Sequence, residues 1–299
     1  MSRLPSDLQR EVEAAWGARL ARPVTIAGTD PVGGGCISPT ARLRGDGGEQ
    51  AFLKWGVPGD TPPGLFAAEA TALRALGDAG ALRVPEVLAA GDTGGGWLLL
   101  EWLEPGRATA RTWRVLGQGL AALHRSRAER FGWPRPNFIG SLPQANDWSA
   151  SWAEFWRARR LEPQLEAAAH YFSAADRRRF QRLLEALPEL LAEVEEEGPS
   201  LVHGDLWGGN LHVTADGTPA LIDPSTYYGH REVDLAMSEL FGGFDGDFYR
   251  AYDEAWPRLP GYRERRRAIY QLYYLLVHVN LFGGGYVGST LSALAAAGA

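Results

Sequence analysis

Residues 201–210 have the sequence LVHGDLWGGN, and residues 221–224 have the sequence LIDP. The two segments flank a predicted hairpin, in which short apolar strands at 211–213 and 220–222 are joined by a turn. A hairpin returns the chain to the place where it started, so one segment comes back beside the other. We therefore expect the polar side chains of the two segments to lie side by side.

Three side chains in these segments carry oxygen donors: Asp205 and Asn210 in the first and Asp223 in the second. Asn210 and Asp223 suit Mg²⁺, which binds through few protein oxygens together with substrate phosphates. Asp205 then remains to orient a hydroxyl or accept its proton, which is the division of roles in phosphoryl transfer. Loop Asp and Asn residues also cap helices and turns, which is the structural alternative. Three of them at this spacing favour the catalytic interpretation.

The sequence His-Gly-Asp, four residues and Asn, followed by Ile-Asp, resembles the catalytic loop of the protein-kinase-like phosphotransferases. The segments HGDLWGGN, DPSTYYGHREVDLAM, FLKW and GGGCIS resemble the fructosamine kinase (ketosamine-3-kinase) family over nearly the whole chain. The resemblance implies use of ATP and Mg²⁺ to phosphorylate the 3-hydroxyl of a ketosamine, such as a fructosamine or ribulosamine on an amino acid or protein lysine. The implied role is protein deglycation or sugar-amine salvage.

Lys54 is the only lysine among the 30 basic residues of the chain. An ammonium is a compact point charge, which a guanidinium cannot replace everywhere. Lys54 falls on the third predicted strand, where a kinase-like fold needs a cation for the α- and β-phosphates of ATP. Glu69, on the following predicted helix, is expected to pair with Lys54, and its alternative role is a solvated charge on the helix surface.

The nucleotide is expected to meet two more segments. A glycine-rich loop would bring backbone amides close to the phosphates, and its predicted contacts are Gly33, Gly34, Gly35, Cys36 and Ile37. The backbone at the end of the fifth strand would bind the adenine edge, and its predicted contacts are Glu101, Trp102 and Leu103. The thiol of Cys36 is either a small buried apolar group or an exposed group sensitive to oxidation.

The acceptor is expected to be small, because only eleven positions separate Asp223 from Asp234. A protein kinase needs a peptide platform ending in Ala-Pro-Glu in this region, and no such tripeptide follows. The predicted acceptor contacts are Trp207, His230, Glu232 and Tyr286, with Tyr227 and Tyr228 as further flat faces. His230 and Glu232 have the alternative role of holding the loop. Asp234 is expected to support the 203–210 loop by binding the backbone of that loop.

The order of elements predicts an α+β, two-lobed, protein-kinase-like fold. Residues 1–103 form a β-rich nucleotide-binding lobe with a five-stranded antiparallel sheet, and residues 104–299 form a larger helical catalytic and substrate lobe. The strands are predicted at 24–29, 37–44, 49–55, 84–90 and 97–103. The helices are predicted at 6–21, 65–76, 108–125, 151–166, 174–197, 233–241, 247–256 and 263–282. The tail at 292–299 is low in complexity and is expected to fray.

Composition limits the remaining possibilities. The 299 residues are 45% hydrophobic and 22% charged, as is usual for a globular protein. A net charge of −6 argues against a general binder of nucleic acid or anionic membranes, and no apolar run is long enough to span a bilayer. The start of the sequence lacks an apolar signal region, and one cysteine allows no intramolecular disulfide. We expect a cytoplasmic monomer or dimer.

Two alternatives stay open. One is a different small-molecule kinase of the same fold, acting on an aminoglycoside, choline or homoserine. The other is a kinase-like module that holds a nucleotide without turning it over. The second alternative is disfavoured by the intact set of candidate groups, which are Lys54, Asp205, Asn210 and Asp223.

Overall fold

The computed structural model of the protein describes residues 4–33 and 38–298. Contacts between residues divide the chain into two units. The first unit contains residues 1–108 and 212–223, and the second contains residues 109–211 and 224–299. The segment that follows the 203–210 loop in sequence therefore packs with the N-terminal residues.

Strands dominate the first hundred residues and α-helices the remainder. The strands are β1 (Ile26–Pro31), β2 (Thr40–Gly45), β3 (Gln50–Trp55), β4 (Val87–Gly91), β5 (Trp97–Glu101), β6 (Asn137–Ile139), β7 (Leu142–Gln144), β8 (Ser200–Val202), β9 (Leu211–Val213), β10 (Pro219–Leu221) and β11 (Tyr227–Gly229). The α-helices are α1 (Ser6–Leu20), α2 (Leu65–Asp78), α3 (Ala110–Leu123), α4 (Trp152–Trp156), α5 (Glu162–Ala167), α6 (Ala174–Leu190), α7 (Glu232–Leu240), α8 (Gly246–Ala255), α9 (Arg267–Phe282) and α10 (Val287–Ala296).

The first unit is built on an antiparallel sheet with the strand order β1-β2-β3-β5-β4 in the described part of the chain. Successive residues of a strand point to opposite faces, so Leu53 and Lys54 face different neighbours. Leu53 packs with residues of α1, while Lys54 pairs with Leu98, whose side chain packs with residues of α2. The sheet thus places the single lysine on the face that α2 covers. The predicted α+β class and five-stranded sheet are confirmed.

The ends of four strands differ from the prediction by two or three residues. The first strand lies at 26–31 instead of 24–29, and the fourth begins at Val87 instead of Val84. The fifth strand was expected to reach Leu103 but ends at Glu101. Glu101 pairs with Ala51, so Gln50 is the one residue of β3 that lies beyond this point. The second strand begins at Thr40, three residues after its predicted start.

The β9–β10 hairpin attaches to the first unit by backbone hydrogen bonds. The amide of Gly106 donates to the carbonyl of Val213 at 2.7 Å, and the amide of Leu221 donates to the carbonyl of Arg83 at 2.9 Å. These bonds fix both strands of the hairpin. As a result Asp223, two residues beyond β10, is held by the same unit that carries Lys54.

The second unit is mostly helical, with α9 buried on nearly every side. This burial explains why α9 has almost no charged residues. The helices α3 and α8 approach closely at Gly117, where a Cβ atom would lie 2.4 Å from the carbonyl oxygen of Phe248. In the ranges that the structure describes, no helix is both long enough and apolar enough to cross a membrane.

Several predictions for the second unit need correction. The helix expected at 151–166 is divided into α4, a π-helical turn at Arg157–Leu161 and α5. The tail was expected to fray from residue 292, but α10 continues to Ala296 because Leu294 is fully buried. The strands β6, β7, β8 and β11 were not predicted, since three residues are too few to show a periodicity.

Candidate active site

Lys54 forms the centre of a charged cluster in the first unit. Its Nζ donates to Glu69 Oε1 at 2.7 Å and also to Asp223 Oδ1. Only 9% of the Lys54 side chain is exposed. Burial alone would lower the pKa of Lys54, but the charges of Asp223 and Glu69 outweigh it and raise the pKa above its ordinary value. Lys54 is therefore a permanent cation, and the pairing with Glu69 expected from the sequence is present.

Asp223 has an unusual backbone conformation. Its φ is +55°, in the left-handed region. Among the non-glycine residues that the structure describes, Ala21 is the only other one in this region. This conformation costs a residue with a side chain about 1–2 kcal/mol. Strain of this kind persists where the surroundings fix the residue, and it is concentrated at functional sites. The conformation directs the Asp223 carboxylate toward Lys54.

The 203–210 loop lies in the second unit, and contacts to its own backbone hold it in place. Gly204 has φ +84°, and a Cβ atom there would lie 2.2 Å from the carbonyl oxygen of Ser225. The amide of Ser225 donates to the carbonyl of His203 at 2.9 Å. The hydroxyl of Tyr274 donates to the carbonyl of Gly204 at 3.0 Å. Only glycine fits at position 204, and the segment before Asp205 is held from two sides.

Within this loop Asn210 orients Asp205. The amide Nδ2 of Asn210 donates to the backbone oxygen of Asp205 at 2.9 Å and to its Oδ2 at 3.0 Å. The backbone amide of Asp205 lies 3.3 Å from His203 Nδ1, to which it donates. Because the Nδ2 side of Asn210 faces Asp205, its carbonyl oxygen points away from that carboxylate.

Asp234 supports the loop from inside the protein. Its side chain is fully buried, and it accepts the amide hydrogens of His203 at 2.8 Å and Gly204 at 2.9 Å. His124 Nε2 lies 3.1 Å from Asp234 Oδ2, and the hydroxyl of Tyr252 lies 2.8 Å from His124 Nδ1. Burial, partly offset by Asp234, lowers the pKa of His124, so the ring is neutral and carries its proton on Nε2. The supporting role predicted for Asp234 is confirmed.

Sequence reasoning missed His124, Tyr252 and Tyr274 as parts of this arrangement. His124 could have been noted as a histidine at the end of an apolar helix face. Such a histidine is common in protein cores, so the pattern alone would not have identified its partner. The two tyrosines carry no local signal, because their hydrogen-bond partners lie far away in the sequence.

His230 and Glu232 lie in the interior, where they bind other side chains. His230 Nε2 donates to Glu197 Oε2 at 2.8 Å, and the Tyr270 hydroxyl lies 3.0 Å from His230 Nδ1. Glu232 accepts hydrogen bonds from Arg266 Nε at 2.7 Å and from its terminal nitrogen at 3.0 Å. Both side chains are fully buried. Of the two roles that the sequence allowed, the geometry favours holding the loop over contact with the acceptor.

Glu197 makes the stability of this region dependent on pH. Burial would raise the pKa of Glu197, but hydrogen bonds from His230 and Arg231 lower it to about 2. A depressed pKa stabilises the fold at pH values above the ordinary pKa of 4.5. This contribution disappears as the pH falls toward 2. We expect Glu197→Gln to lower the free energy of unfolding by up to about 3 kcal/mol at pH 7 and by much less at pH 3.

Chemical denaturation at pH 7, 5, 4 and 3 measures this difference. The matched control is Glu185→Gln, which changes an exposed carboxylate that bonds only Gln181 within the described contacts. A difference between wild type and Glu197→Gln that stays constant from pH 7 to pH 3 would show that the depressed pKa is wrong.

Trp207 and Tyr286 belong to one aromatic surface in the second unit. The ring of Trp207 lies 6.4 Å from Phe241, and Phe241 lies 4.6 Å from His278. His278 in turn lies 4.9 Å from Tyr286. Trp207 and Tyr286 are half-buried, so part of each ring faces solvent. Tyr227, by contrast, is fully buried and offers no face to an acceptor.

The predicted nucleotide contacts are only partly within the described residues. Gly34, Gly35, Cys36 and Ile37 lie outside them. At Gly33 an added Cβ atom would meet no atom within 4 Å in the part of the chain that is described. Glu101 forms an ion pair with Arg83, and Trp102 Nε1 donates to Glu104 at 2.8 Å. The side chains of Glu101 and Trp102 are thus engaged with other side chains, and the role of this backbone in binding adenine stays a prediction.

The donor set fits a metal that takes few protein ligands. Lys54, Glu69 and Asp223 together carry one surplus negative charge, which would attract a cation. In the described ranges, no group of three or more His, Cys, Asp or Glu residues could hold a metal ion. Mg²⁺ suits the surplus charge, because it binds through one or two protein oxygens together with phosphates and water. In the first unit Asp223 carries a carboxylate oxygen of the required kind, and in the second unit Asn210 carries a carboxamide oxygen of that kind.

The chain is similar to proteins of a known family. The family model described as fructosamine kinase matches residues 8–297. A protein of Synechocystis sp. named probable ketoamine kinase is 41% identical over 273 residues, which cover 89% of this chain and 88% of that protein. A chloroplastic protein-ribulosamine 3-kinase of Oryza sativa subsp. indica is 38% identical over 282 residues, which cover 93% and 80%.

Solved structures show the same fold. A protein of Haemophilus somnus 129PT, provisionally named fructosamine-3-kinase, superposes with a TM-score of 0.86 at 26% identity and covers 98% of this chain and all of that one. A macrolide 2'-phosphotransferase of Brachybacterium faecium, at 18% identity, has a TM-score of 0.58 over 97% and 98% of the two chains. The second similarity concerns the kinase-like phosphotransferase fold alone. Family match, sequence identity and fold together establish that the chain belongs to the fructosamine kinase family.

Proposed function

We propose that the protein is an ATP-dependent ketosamine 3-kinase. It transfers the γ-phosphoryl group of ATP to the 3-hydroxyl of a fructosamine or ribulosamine carried by an amino acid or a protein lysine. The relatives named ketoamine kinase and ribulosamine 3-kinase, at 41% and 38% identity, support this substrate class. The observation that carries the proposal is the combination of a buried Lys54–Asp223 pair with an Asp205 carboxylate oriented by Asn210.

Asp205 is the catalytic residue in this proposal. The 3-hydroxyl oxygen attacks the γ-phosphorus, the bond from that phosphorus to the bridging oxygen breaks, and ADP leaves. The hydroxyl proton passes to the Asp205 carboxylate. Asn210 and the backbone bonds of the loop hold the carboxylate in one orientation, so little reorganisation is needed during the reaction.

The nucleotide is held by groups of the first unit and by a bound metal. Lys54 provides the cation for the α- and β-phosphates, Glu69 holds the ammonium in place, and Gly33 begins the glycine loop. Asn210 and Asp223 would hold Mg²⁺, which would supply positive charge to compensate the phosphates. The backbone of Glu101, Trp102 and Leu103 would bind the adenine edge.

The acceptor is small in this proposal, and Trp207 and Tyr286 offer it aromatic faces near the 203–210 loop. The phosphorylated adduct would break down, which gives a deglycation or sugar-amine salvage activity in the cytoplasm. Residues 1–103 would serve as the nucleotide lobe and residues 104–299 as the catalytic and substrate lobe.

An acceptor panel tests the proposal. The purified protein is incubated with ATP and Mg²⁺ and with fructosyl-lysine, ribulosyl-lysine, an aminoglycoside, choline or homoserine, and ADP release is measured. We expect release with the ketosamines alone, and phosphorus NMR of the product should place the phosphate on O3. Release with another acceptor would identify a different kinase of this fold. Nucleotide binding without transfer to any acceptor would indicate a non-catalytic module.

A further inference from the structure

Three buried carboxamides are grouped on and beside the β6–β7 hairpin of the second unit. Asn137, Gln144 and Asn146 are exposed by only 4%, 3% and 1%. Gln144 Nε2 donates to Asn137 Oδ1 at 2.8 Å, and Asn146 Nδ2 donates to the same oxygen at 2.7 Å. We call these three residues the carboxamide cluster. A buried amide is costly unless it is hydrogen-bonded, so the cluster depends on every bond it makes.

Two side chains from other elements anchor the cluster. The terminal nitrogen of Arg160 donates to Asn146 Oδ1 at 2.7 Å, and its guanidinium carbon lies 4.0 Å from the centre of the Tyr227 ring. The hydroxyl of Tyr273, on α9, donates to Gln144 Oε1. Both anchors are fully buried. The cluster is therefore rigidly attached to the core of the second unit.

Two of the hydrogen bonds that the cluster donates go to one backbone segment, while a third, from Asn146 Nδ2, reaches the carbonyl of Arg135 at 3.2 Å. Asn137 Nδ2 donates to the carbonyl of Thr226 at 2.8 Å, and Gln144 Nε2 lies 3.4 Å from the carbonyl of Ser225. Ser225 is the residue whose amide binds the His203 carbonyl and whose carbonyl lies against Gly204. The cluster thus fixes the segment on which the backbone before Asp205 rests.

One helix connects the cluster to the loop a second time. Tyr273 and Tyr274 are adjacent on α9, and the first binds Gln144 while the second binds the Gly204 carbonyl. Burial raises the pKa of both tyrosines, and the nearby charge of Asp205 raises it further. The backbone before Asp205 is consequently held to α9 in two ways: directly by Tyr274, and through Gln144 by Tyr273.

We propose that Gln144 and Asn137 are positioning residues for phosphoryl transfer, which hold Ser225–Thr226 and through it the backbone that directs Asp205. The proposal rests on the kinase function proposed above. Directional hydrogen bonds define a backbone position more narrowly than apolar packing does. A small displacement of a group that must align an attacking hydroxyl lowers the rate by about 10- to 100-fold.

The test compares two identical substitutions. Gln144→Met keeps the length of the side chain and removes its hydrogen bonds. The matched control is Gln164→Met, which changes another buried glutamine of the second unit, whose Oε1 accepts a bond from Asn280 at 2.8 Å. We expect Gln144→Met to lower kcat with ketosamine by about 10- to 100-fold and to leave the KM for ATP unchanged. Gln164→Met should leave kcat within about twofold of wild type, even where both variants lower Tm.

A double variant separates positioning from loss of stability. Adding Tyr273→Phe to Gln144→Met removes the donor that Gln144→Met leaves buried without an acceptor, so Tm should recover in part. If the proposal is correct, kcat stays low while Tm rises. If kcat recovers together with Tm, or if Gln144→Met alone has wild-type kcat, the positioning role is wrong.

Should Gln144→Met fail to fold, the single variant Tyr273→Phe decides the question, because it removes one hydrogen bond with no change of shape. A lower kcat at constant KM for ATP supports the proposal, and an unchanged kcat contradicts it. Wild-type protein without turnover on any ketosamine would instead contradict the proposed function itself.

Discussion

Asp205→Asn is expected to lower kcat with a ketosamine by about 10²- to 10⁴-fold, the range lost when a general base is removed. An amide cannot accept the proton of the 3-hydroxyl at neutral pH, although it occupies the same space as the carboxylate. The side-chain oxygen of the new asparagine can still accept the Asn210 Nδ2 hydrogen bond that now reaches Asp205 at 3.0 Å. Tm should therefore remain near the wild-type value. Initial rates of ADP release measure the effect.

Asp245→Asn provides the matched control for this substitution. Asp245 also lies in the second unit, where it caps α8 by accepting a hydrogen bond from the amide of Asp247 at 2.9 Å. Asparagine caps helices about as well as aspartate, so this control should change neither rate nor stability. Wild-type activity of Asp205→Asn would remove Asp205 from the mechanism, and equal losses in both variants would point to a general effect of lost charge.

The parts of the site that the sequence predicts are those whose contacts are local or chemically unusual. Asp205 and Asn210 are five residues apart, and their hydrogen bonds lie within one loop. Lys54 stands out because the chain has no other lysine. Its partner Asp223 is 169 residues away, and the sequence analysis did not predict this pair.

The parts that the sequence does not predict depend on distant partners. Two members of the carboxamide cluster, Asn137 and Gln144, lie on strands of three residues, and they bind a backbone segment more than 80 residues later. His230 and Glu232 are charged or polar in sequence and were expected either to contact an acceptor or to hold the loop. Both are buried because each binds a side chain that is distant in sequence. His230 binds Glu197, which lies 33 residues earlier, and Glu232 binds Arg266, which lies 34 residues later. Burial of a polar residue is thus decided by its partner, which no local pattern reveals.

Asp223→Asn is expected to lower kcat by about 10²- to 10³-fold and to raise the Mg²⁺ concentration needed for half-maximal rate. The substitution removes the surplus negative charge of the cluster of Lys54, Glu69 and Asp223, and with it the attraction for a divalent cation. Asparagine tolerates the left-handed conformation at φ +55° better than other residues with a side chain. The fold should therefore persist, with Lys54 still paired to Glu69.

Magnesium titrations of ADP release, with Tm as the check on folding, measure both effects. The matched control is Asp216→Asn, which changes an exposed carboxylate in the turn of the same β9–β10 hairpin, where Asp216 binds Thr214 and Thr218. That variant should keep the wild-type rate and magnesium requirement, because its charge lies outside the Lys54 cluster. If Asp223→Asn instead keeps the wild-type magnesium requirement, the strained backbone at this position serves the pairing with Lys54 and not a metal ion.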